Sequence, residues 1–199
     1  MPKPSLRDAL LDAAFDQLHA GGYSATGVAA IAAAAHAPKG SFYNHFRSKE
    51  ALTIEVLERY GRTRRLDLLA DDAVTPTQRI RNHLAHLRQD LAAHDYRRGC
   101  MFGNFAAENP AVAPTVTATV AASFDAWRGA LAEAIRAGQV AGEFDSGIDP
   151  VNAAELIVDA WEGAALRAKG LGDGAPVDNV IEFVFGRVLV PPSDNLSVG

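Results

Sequence analysis

The sequence predicts an all-α protein: a three-helix N-terminal domain followed by a larger helical body, about nine helices in all. Three observations carry this. Apolar residues recur at spacings of three and four, as in Leu11, Ala14, Phe15 and Leu18, or Val116, Val120, Phe124, Trp127, Leu131 and Ile135. No stretch reads as a convincing strand and no repeat is present. Prolines and grouped glycines punctuate the periodic stretches, at Gly21-Gly22, Pro38, Pro76, Pro110 and 170–176.

In chain order, the first helix is expected over 5–20. Ser5 caps it, Asp8 lies in its first turn and Gly21-Gly22 ends it. A second short helix follows Thr26, whose hydroxyl is placed to cap it, and runs to about 35. Its alanines leave room for a close neighbour. The third helix is expected over 38–46, with Pro38 in its first turn. The fourth starts at Ser48, its expected cap, and continues to about 70. Pro76 opens a helix to about 94 with Ile80, Leu84, Leu87 and Leu91 on its apolar face. A short helix over 101–109 is stopped by Pro110. The long stripe from Val116 to Ile135 follows, then a Gly- and Asp-rich loop at 138–150. A helix over 151–169 carries Ala153, Leu156, Ile157, Ala160, Trp161, Ala164 and Ala168 on one side. Val177, Val180, Ile181, Val184 and Val188 mark the last one. The expected organisation is 1–50 for the N-terminal domain, 51–190 for the body and 191–199 as a disordered tail.

The chain has 199 residues, 48% of them hydrophobic, enough for a sizeable core. Its formal charge is -5, but unevenly spread. Residues 1–65 carry nine Lys and Arg against six Asp and Glu, a net of +3, which leaves the remainder at −8. A basic head on an acidic body suits a protein that touches nucleic acid at one end only. The single cysteine, Cys100, allows no intrachain disulfide and fits a reducing compartment. The N-terminus lacks a signal-type apolar run, since Asp8 and Asp12 interrupt it. The longest apolar run, 28–35, is under half the ~20 residues a membrane helix needs. A soluble, cytoplasmic protein is expected, with no membrane partner.

Residues 26–52, TGVAAIAAAAHAPKGSFYNHFRSKEAL, organise the rest. They spell two short helices, a tight turn and the start of a longer helix: a helix-turn-helix. At ~100° per residue, Phe42 and Phe46 point one way and Gly40 and Asn44 the other, with Ser41 and Tyr43 on the flanks. A helix packed in protein on one face and set in a DNA groove on the other has this pattern. Lys39, Tyr43, His45 and Lys49 are candidates to reach phosphate oxygens, as are the amides after Thr26. Ser41 and Asn44, beside Gly40, are candidates to meet base edges, Asn pairing bidentately with adenine. Taken singly, Tyr43 and His45 also suit plain packing against the first helix; the joint pattern favours DNA.

Residues 5–65 resemble the DNA-binding domain of the TetR family of transcriptional regulators. The resemblance rests on Gly22-Tyr23, Thr26, Val28, Ile31-Ala32, Ala35, Lys39-Gly40-Ser41-Phe42-Tyr43, His45-Phe46 and Lys49-Glu50-Ala51-Leu52. It implies nine helices, a homodimer built on the last two, a ligand pocket in the body, and usually repression of an operator. The turn departs from the family pattern. His36 stands where Gly is usual, so it is expected in a left-handed conformation. Pro38 stands where Ser or Thr is common and supplies no capping hydroxyl. A two-fold dimer requires an inverted-repeat operator with half-sites one helical turn, or a multiple, apart.

In the body, Arg98-Gly99-Cys100-Met101-Phe102-Gly103-Asn104-Phe105-Ala106-Ala107-Glu108 resembles a segment of the NemR-like and AcuR-like branch of that family. Members of that branch respond to electrophiles, oxidants or small unsaturated acids. Near a helix N-terminus, and beside Arg97 and Arg98, the Cys100 thiolate is favoured and reactive. As a free cysteine it suits a buried apolar site as well. For a noncovalent effector, Phe102, Phe105, Trp127 and Trp161 are candidate walls, and Asn104 and Glu108 candidate polar contacts. Both tryptophans also lie on regular core stripes.

Other functions find little support. A thiol enzyme would pair Cys100 with one of six histidines, yet no spacing marks a partner. His83 and His86 are expected on a solvated side of their helix, away from any metal site. No metal or cofactor is expected. A helical dimeric adaptor without DNA binding conflicts with the intact pattern from Lys39 to Lys49. The Ala153 to Ala168 and Val177 to Val188 faces are the expected homodimer surface, forming a four-helix bundle with their symmetry mates.

Overall fold

A computed structural model of the chain describes residues 5–108 and 113–190. Among these, every regular element is helical. The helix α1, Leu6–Ala25, starts at Ser5, whose hydroxyl accepts from the Asp8 amide at 3.2 Å. It is broken at Gly22, where φ is 79° and ψ 178°, and a fresh turn follows. The helix α2, Val28–Ala34, is short, as its run of alanines suggests. Its cap differs from the expectation. Gly27, not Thr26, is the cap residue, and the Thr26 hydroxyl turns inward to donate to the Gln17 carbonyl at 3.2 Å.

The third element is tighter and shorter than the expected α-helix over 38–46. It is a 3-10 helix, Lys39–Asn44. Pro38 is held extended at φ −59° and ψ 136°, so the helix starts only after it. The Phe42 carbonyl then accepts from both His45 and Phe46 amides at 3.0 Å and closes the element. His36, the turn residue, has φ 52°, the left-handed conformation expected of it.

The helix α3, Lys49–Thr63, opens on Ser48 as expected, the hydroxyl accepting from the Ala51 amide at 3.0 Å. It stops well before residue 70. The Thr63 hydroxyl bonds back to the Tyr60 carbonyl at 2.7 Å, and Arg65 turns left-handed at φ 52°. A 3-10 turn, Leu66–Ala70, then carries Leu69 into a core. The helix α4, Pro76–Ala92, is capped by the Thr75 hydroxyl, and α5, Met101–Ala106, begins after Cys100. The stop expected at Pro110 lies outside the described residues. The helix α6 spans Pro114–Val140. The helix α7, Pro150–Leu171, runs from an Asp149 cap, with Pro150 in its first turn, to a left-handed Gly172. The helix α8, Ala175–Phe183, passes into a π-helical turn, Val184–Val188.

The described residues fall into two compact units. One takes in the described residues of 5–63, 98–108 and 113–123, the other those of 64–97 and 124–190. In the first, α1 packs on α2, α3 and α5, and α2 packs on the 3-10 helix. Leu10, Leu18, Ile31, Phe42, Leu52 and Val56 are fully buried there. Each such side chain contributes about 1.5–3 kcal/mol by leaving water. In the second, the core holds Ile80, Leu84, Leu131, Ile135, Ile157 and Trp161. Two faces differ from the expected ones. His83, expected on a solvated side, is wholly buried, because three residues after Ile80 it falls on the same apolar stripe. Leu156, expected with Ile157 and Trp161, is 53% exposed. No helix among the described residues is long and apolar enough to cross a membrane.

Candidate nucleic-acid interface and effector sites

The 3-10 helix divides its residues sharply. Phe42 and Phe46 are buried and meet at 5.7 Å between ring centroids, anchoring the element to the first unit. Lys39, Gly40, Tyr43, Asn44 and His45 are exposed. Tyr43 is 60% exposed, a large value for an aromatic side chain, with its ring edge-on to Phe42 at 5.2 Å. A methyl group on Gly40 would meet nothing within 4 Å, so a second molecule is able to approach its backbone closely. Ser41 is partly exposed and its hydroxyl donates to the Pro38 carbonyl at 2.6 Å. One surface therefore offers a cation, an amide, a phenol and an imidazole beside a bare backbone. Such a set matches phosphate oxygens and base edges.

Thr26 and Lys49 sit differently from the exposed group. Thr26 is 5% exposed and bonded to Gln17. The Lys49 ammonium donates to the carbonyls of Tyr23 and Thr26 at 2.9 and 3.1 Å and lies 3.9 Å above the Tyr23 ring. Burial holds its pKa below the ordinary lysine value, against the opposing pull of Glu108. Tyr23 is shifted upward, by burial first and by Glu50 and Glu108 after it.

Glu108 completes this arrangement from the other side. Its two carboxylate oxygens each accept a backbone N–H, from Tyr23 and Ser24, both at 2.6 Å. Those amides open the fresh turn after the Gly22 break, where helical N–H groups lack intrahelical partners. An anion at that end and a cation on the carbonyls at the other brace the segment joining α1 to α2. Sequence reasoning offered Glu108 as an effector contact and did not find this brace. Its only sequence signal is the Gly21-Gly22 break, which leaves amides in need of an acceptor.

Cys100 is 9% exposed, and the Tyr60 hydroxyl stands 3.7 Å from its Sγ. That hydroxyl also accepts from the Met101 amide at 3.1 Å. Phe102 packs edge-on to Tyr60 at 5.0 Å, and Phe105 edge-on to Tyr23 at 6.3 Å. The Asn104 amide donates to the Arg98 carbonyl at 2.8 Å, fastening the start of α5. His19 adds its ring against Tyr60 at 5.3 Å, with Nε2 at 2.9 Å from the Gly99 oxygen. Tyr60 and His19 carry no signal of this role in the sequence, since each lies on an ordinary helical stripe. Arg98, counted as a charge beside the thiol, pairs with Asp16 at 2.9 Å.

These five candidates, Cys100 to Glu108, belong to the first unit; Trp127 and Trp161 belong to the second. The two tryptophans meet edge-on at 6.5 Å, and Trp127 meets His83 at 5.9 Å. Burial pushes the His83 pKa down to about 4.

Residues 10–56 match the family described as bacterial regulatory proteins, tetR family, and residues 76–184 match a tetracyclin repressor-like C-terminal domain. The HTH-type transcriptional repressor DhaR of Mycobacterium sp. (strain GP1) is 34% identical, over 88% of either chain. The transcriptional regulator AcuR of Cereibacter sphaeroides is 36% identical, over 84% of this chain and 78% of its own. The crystal structure of E. coli NemR in its reduced form superposes with a TM-score of 0.81 at 25% identity, covering 96% of this chain and all of the other.

Proposed function

The chain belongs to the TetR family of bacterial regulatory proteins and is a DNA-binding transcriptional repressor, and we propose that it acts as a homodimer on an inverted-repeat operator in the cytoplasm. The observation that carries the DNA reading is the two-faced 3-10 helix, with Phe42 and Phe46 buried under an exposed Lys39, Gly40, Tyr43, Asn44 and His45. In this reading Lys39, Tyr43 and His45 hold phosphates and Asn44 and Ser41 meet bases. Thr26 and Lys49 act through the backbone they fasten, with the α2 amides beyond Thr26 facing phosphate. The groove between α7 and α8, lined by Leu156, Ala160, Val180 and Phe183, is the surface for the second subunit.

Release follows from a population shift: an effector stabilises a conformation that no longer matches successive major grooves. Cys100 supplies one route. A group added to its sulfur displaces Tyr60, which is 1% exposed and lies on α3. The same helix begins at Lys49, whose ammonium fastens the α1–α2 segment. Modification of the thiol thereby loosens the reading element within one unit. Trp127 and Trp161, in the other unit, supply the wall for a noncovalent effector. No catalytic step is assigned to Cys100 or to any histidine.

The test is binding of the full chain to DNA upstream of its own gene, with and without a thiol-reactive electrophile, repeated with Cys100→Ser. Release in the parent protein and not in the variant supports the thiol route. Tight binding indifferent to electrophile rejects that route and leaves the noncovalent one. Absence of binding at low salt, confirmed by selection from random-sequence DNA, rejects the regulator reading.

A further inference from the structure

Two polar atoms in the core of the second unit have no hydrogen-bonding partner among the described residues: Nε2 of His83 and Nε1 of Trp127. The two residues are 0% and 8% exposed, and their rings meet near edge-on. The other imidazole nitrogen, Nδ1, faces the Arg65 carbonyl oxygen at 3.4 Å. A carbonyl only accepts, so the neutral ring carries its proton on Nδ1 and keeps a lone pair on Nε2. Burial keeps the ring neutral at physiological pH. An indole N–H only donates. The core thus holds one unsatisfied acceptor and one unsatisfied donor on rings whose centroids are 5.9 Å apart, in the apolar cluster that includes Trp161, Leu84 and Leu131. Buried polar groups are almost always paired in native proteins, and an unpaired couple calls for a molecule that pairs with it.

We propose that His83 and Trp127 form the polar end of an effector site in this unit, and that they select a small uncharged molecule bearing a hydroxyl or a primary amide on a short apolar body. The proposal rests on the repressor reading and names the chemistry of its noncovalent effector. A hydroxyl or amide accepts from the Trp127 N–H and donates to the His83 lone pair. A ketone only accepts and leaves His83 unsatisfied. An ionised carboxylate likewise only accepts, leaves the His83 lone pair unsatisfied, and gives up its hydration on entering an apolar core.

The experiment titrates the full chain with butyramide and 1-butanol, against 2-pentanone and butyrate. The readouts are thermal melting, emission of the chain's two tryptophans and release of bound DNA. Butyramide and 1-butanol are expected to raise the melting temperature, shift the emission and release DNA, with 2-pentanone and butyrate at least about tenfold weaker. Trp127→Phe weakens butyramide by a similar factor. His83→Gln, which retains an acceptor, binds better than His83→Leu. Equal or tighter binding of butyrate or 2-pentanone overturns the proposal. So does a lack of binding by all four together with an unchanged or higher melting temperature in Trp127→Phe, the result if the pair merely holds a water. If Trp127→Phe does not fold, the order of the four probes on the parent protein decides. Selective probe binding without DNA release overturns the effector role. Failure of the untreated protein to bind DNA strikes at the repressor reading, and the order of the probes then still decides whether the site exists.

Discussion

Tyr43 and Asn44 are adjacent in the chain and both exposed, yet their chemistry assigns them different work. In the proposed reading, the phenol on the flank of the element meets phosphate, which is the same for every sequence, and the amide opposite the buried phenylalanines meets base edges. Tyr43→Ala is expected to weaken binding to all DNA alike, and Asn44→Ala also to lower the preference for the operator by about 1–3 kcal/mol. Competition binding with mutated operators checks this, and equal losses with unchanged preference would sink the division. A second prediction at this scale concerns His83. Its folded pKa, about 4, lies below the unfolded value of 6.5. Between those values the unfolded chain binds the proton and the folded chain does not. The histidine's contribution is therefore intact above about pH 6.5 and is lost as pH falls towards 4, by roughly 3 kcal/mol in total. Urea unfolding at about pH 5 and about pH 7 measures it, and His83→Gln, less basic than imidazole, is expected to flatten that part of the slope.

At the scale of elements, the joint between α1 and α2 is fastened from both sides, by Glu108 on its amides and Lys49 on its carbonyls, and the proposed release acts there. Gly22 has φ 79°, and a methyl group on it would stand 2.5 Å from Glu108 Oε1. Gly22→Ala is therefore strained by backbone and by contact, and is expected to destabilise the protein by about 1–3 kcal/mol, as a thermal or urea melt would record. Glu108→Gln retains one acceptor but turns an N–H2 towards a backbone N–H. It is expected to lower DNA affinity about tenfold while leaving the base preference unchanged, because the reading face itself is untouched. Binding isotherms on operator and scrambled DNA distinguish that uniform loss from a change in specificity. The 3-10 helix shows how far elements were legible. Its buried and exposed faces follow from Phe42, Phe46, Gly40 and Asn44 in either geometry, so the faces were readable. Its tight winding was not, because it depends on an extended Pro38 and on a shared Phe42 carbonyl. Likewise the end of α3 at Thr63 was not readable, because no Gly or Pro stands there and the stop rests on the Thr63 hydroxyl and a left-handed Arg65.

At the scale of the molecule, the exposed apolar residues of α7 and α8 set the expected assembly. Leu156 and Phe183 are 53% and 59% exposed, whereas Val184 is 2% exposed. A charge at Val184 would strike the subunit's own core and so says little about a dimer. Phe183→Glu is expected to give a folded monomer that binds operator DNA poorly, seen as a halved mass in sedimentation with an unchanged helical spectrum. A folded dimer with undiminished DNA affinity would reject this surface. The proposed phosphate contacts of Lys39 and its neighbouring cations entail a salt dependence, since each phosphate neutralised releases counterions on binding.

The sequence by itself determined the helical class, the helix-turn-helix and its exposed face, because these depend on local periods, caps and breakers that act over a few residues. The left-handed His36 was expected through the family resemblance, because Gly is usual at its position, and it has φ 52°. Tertiary structure decided which distant groups meet. Glu108 braces amides 85 and 84 residues away, Tyr60 stands against Cys100, and Arg98–Ser123 joins the N-terminal unit. It also decided that His83 is buried beside Trp127 with one nitrogen unpaired among the described residues. Pairings of that kind depend on the packing of whole helices, which no local spacing encodes.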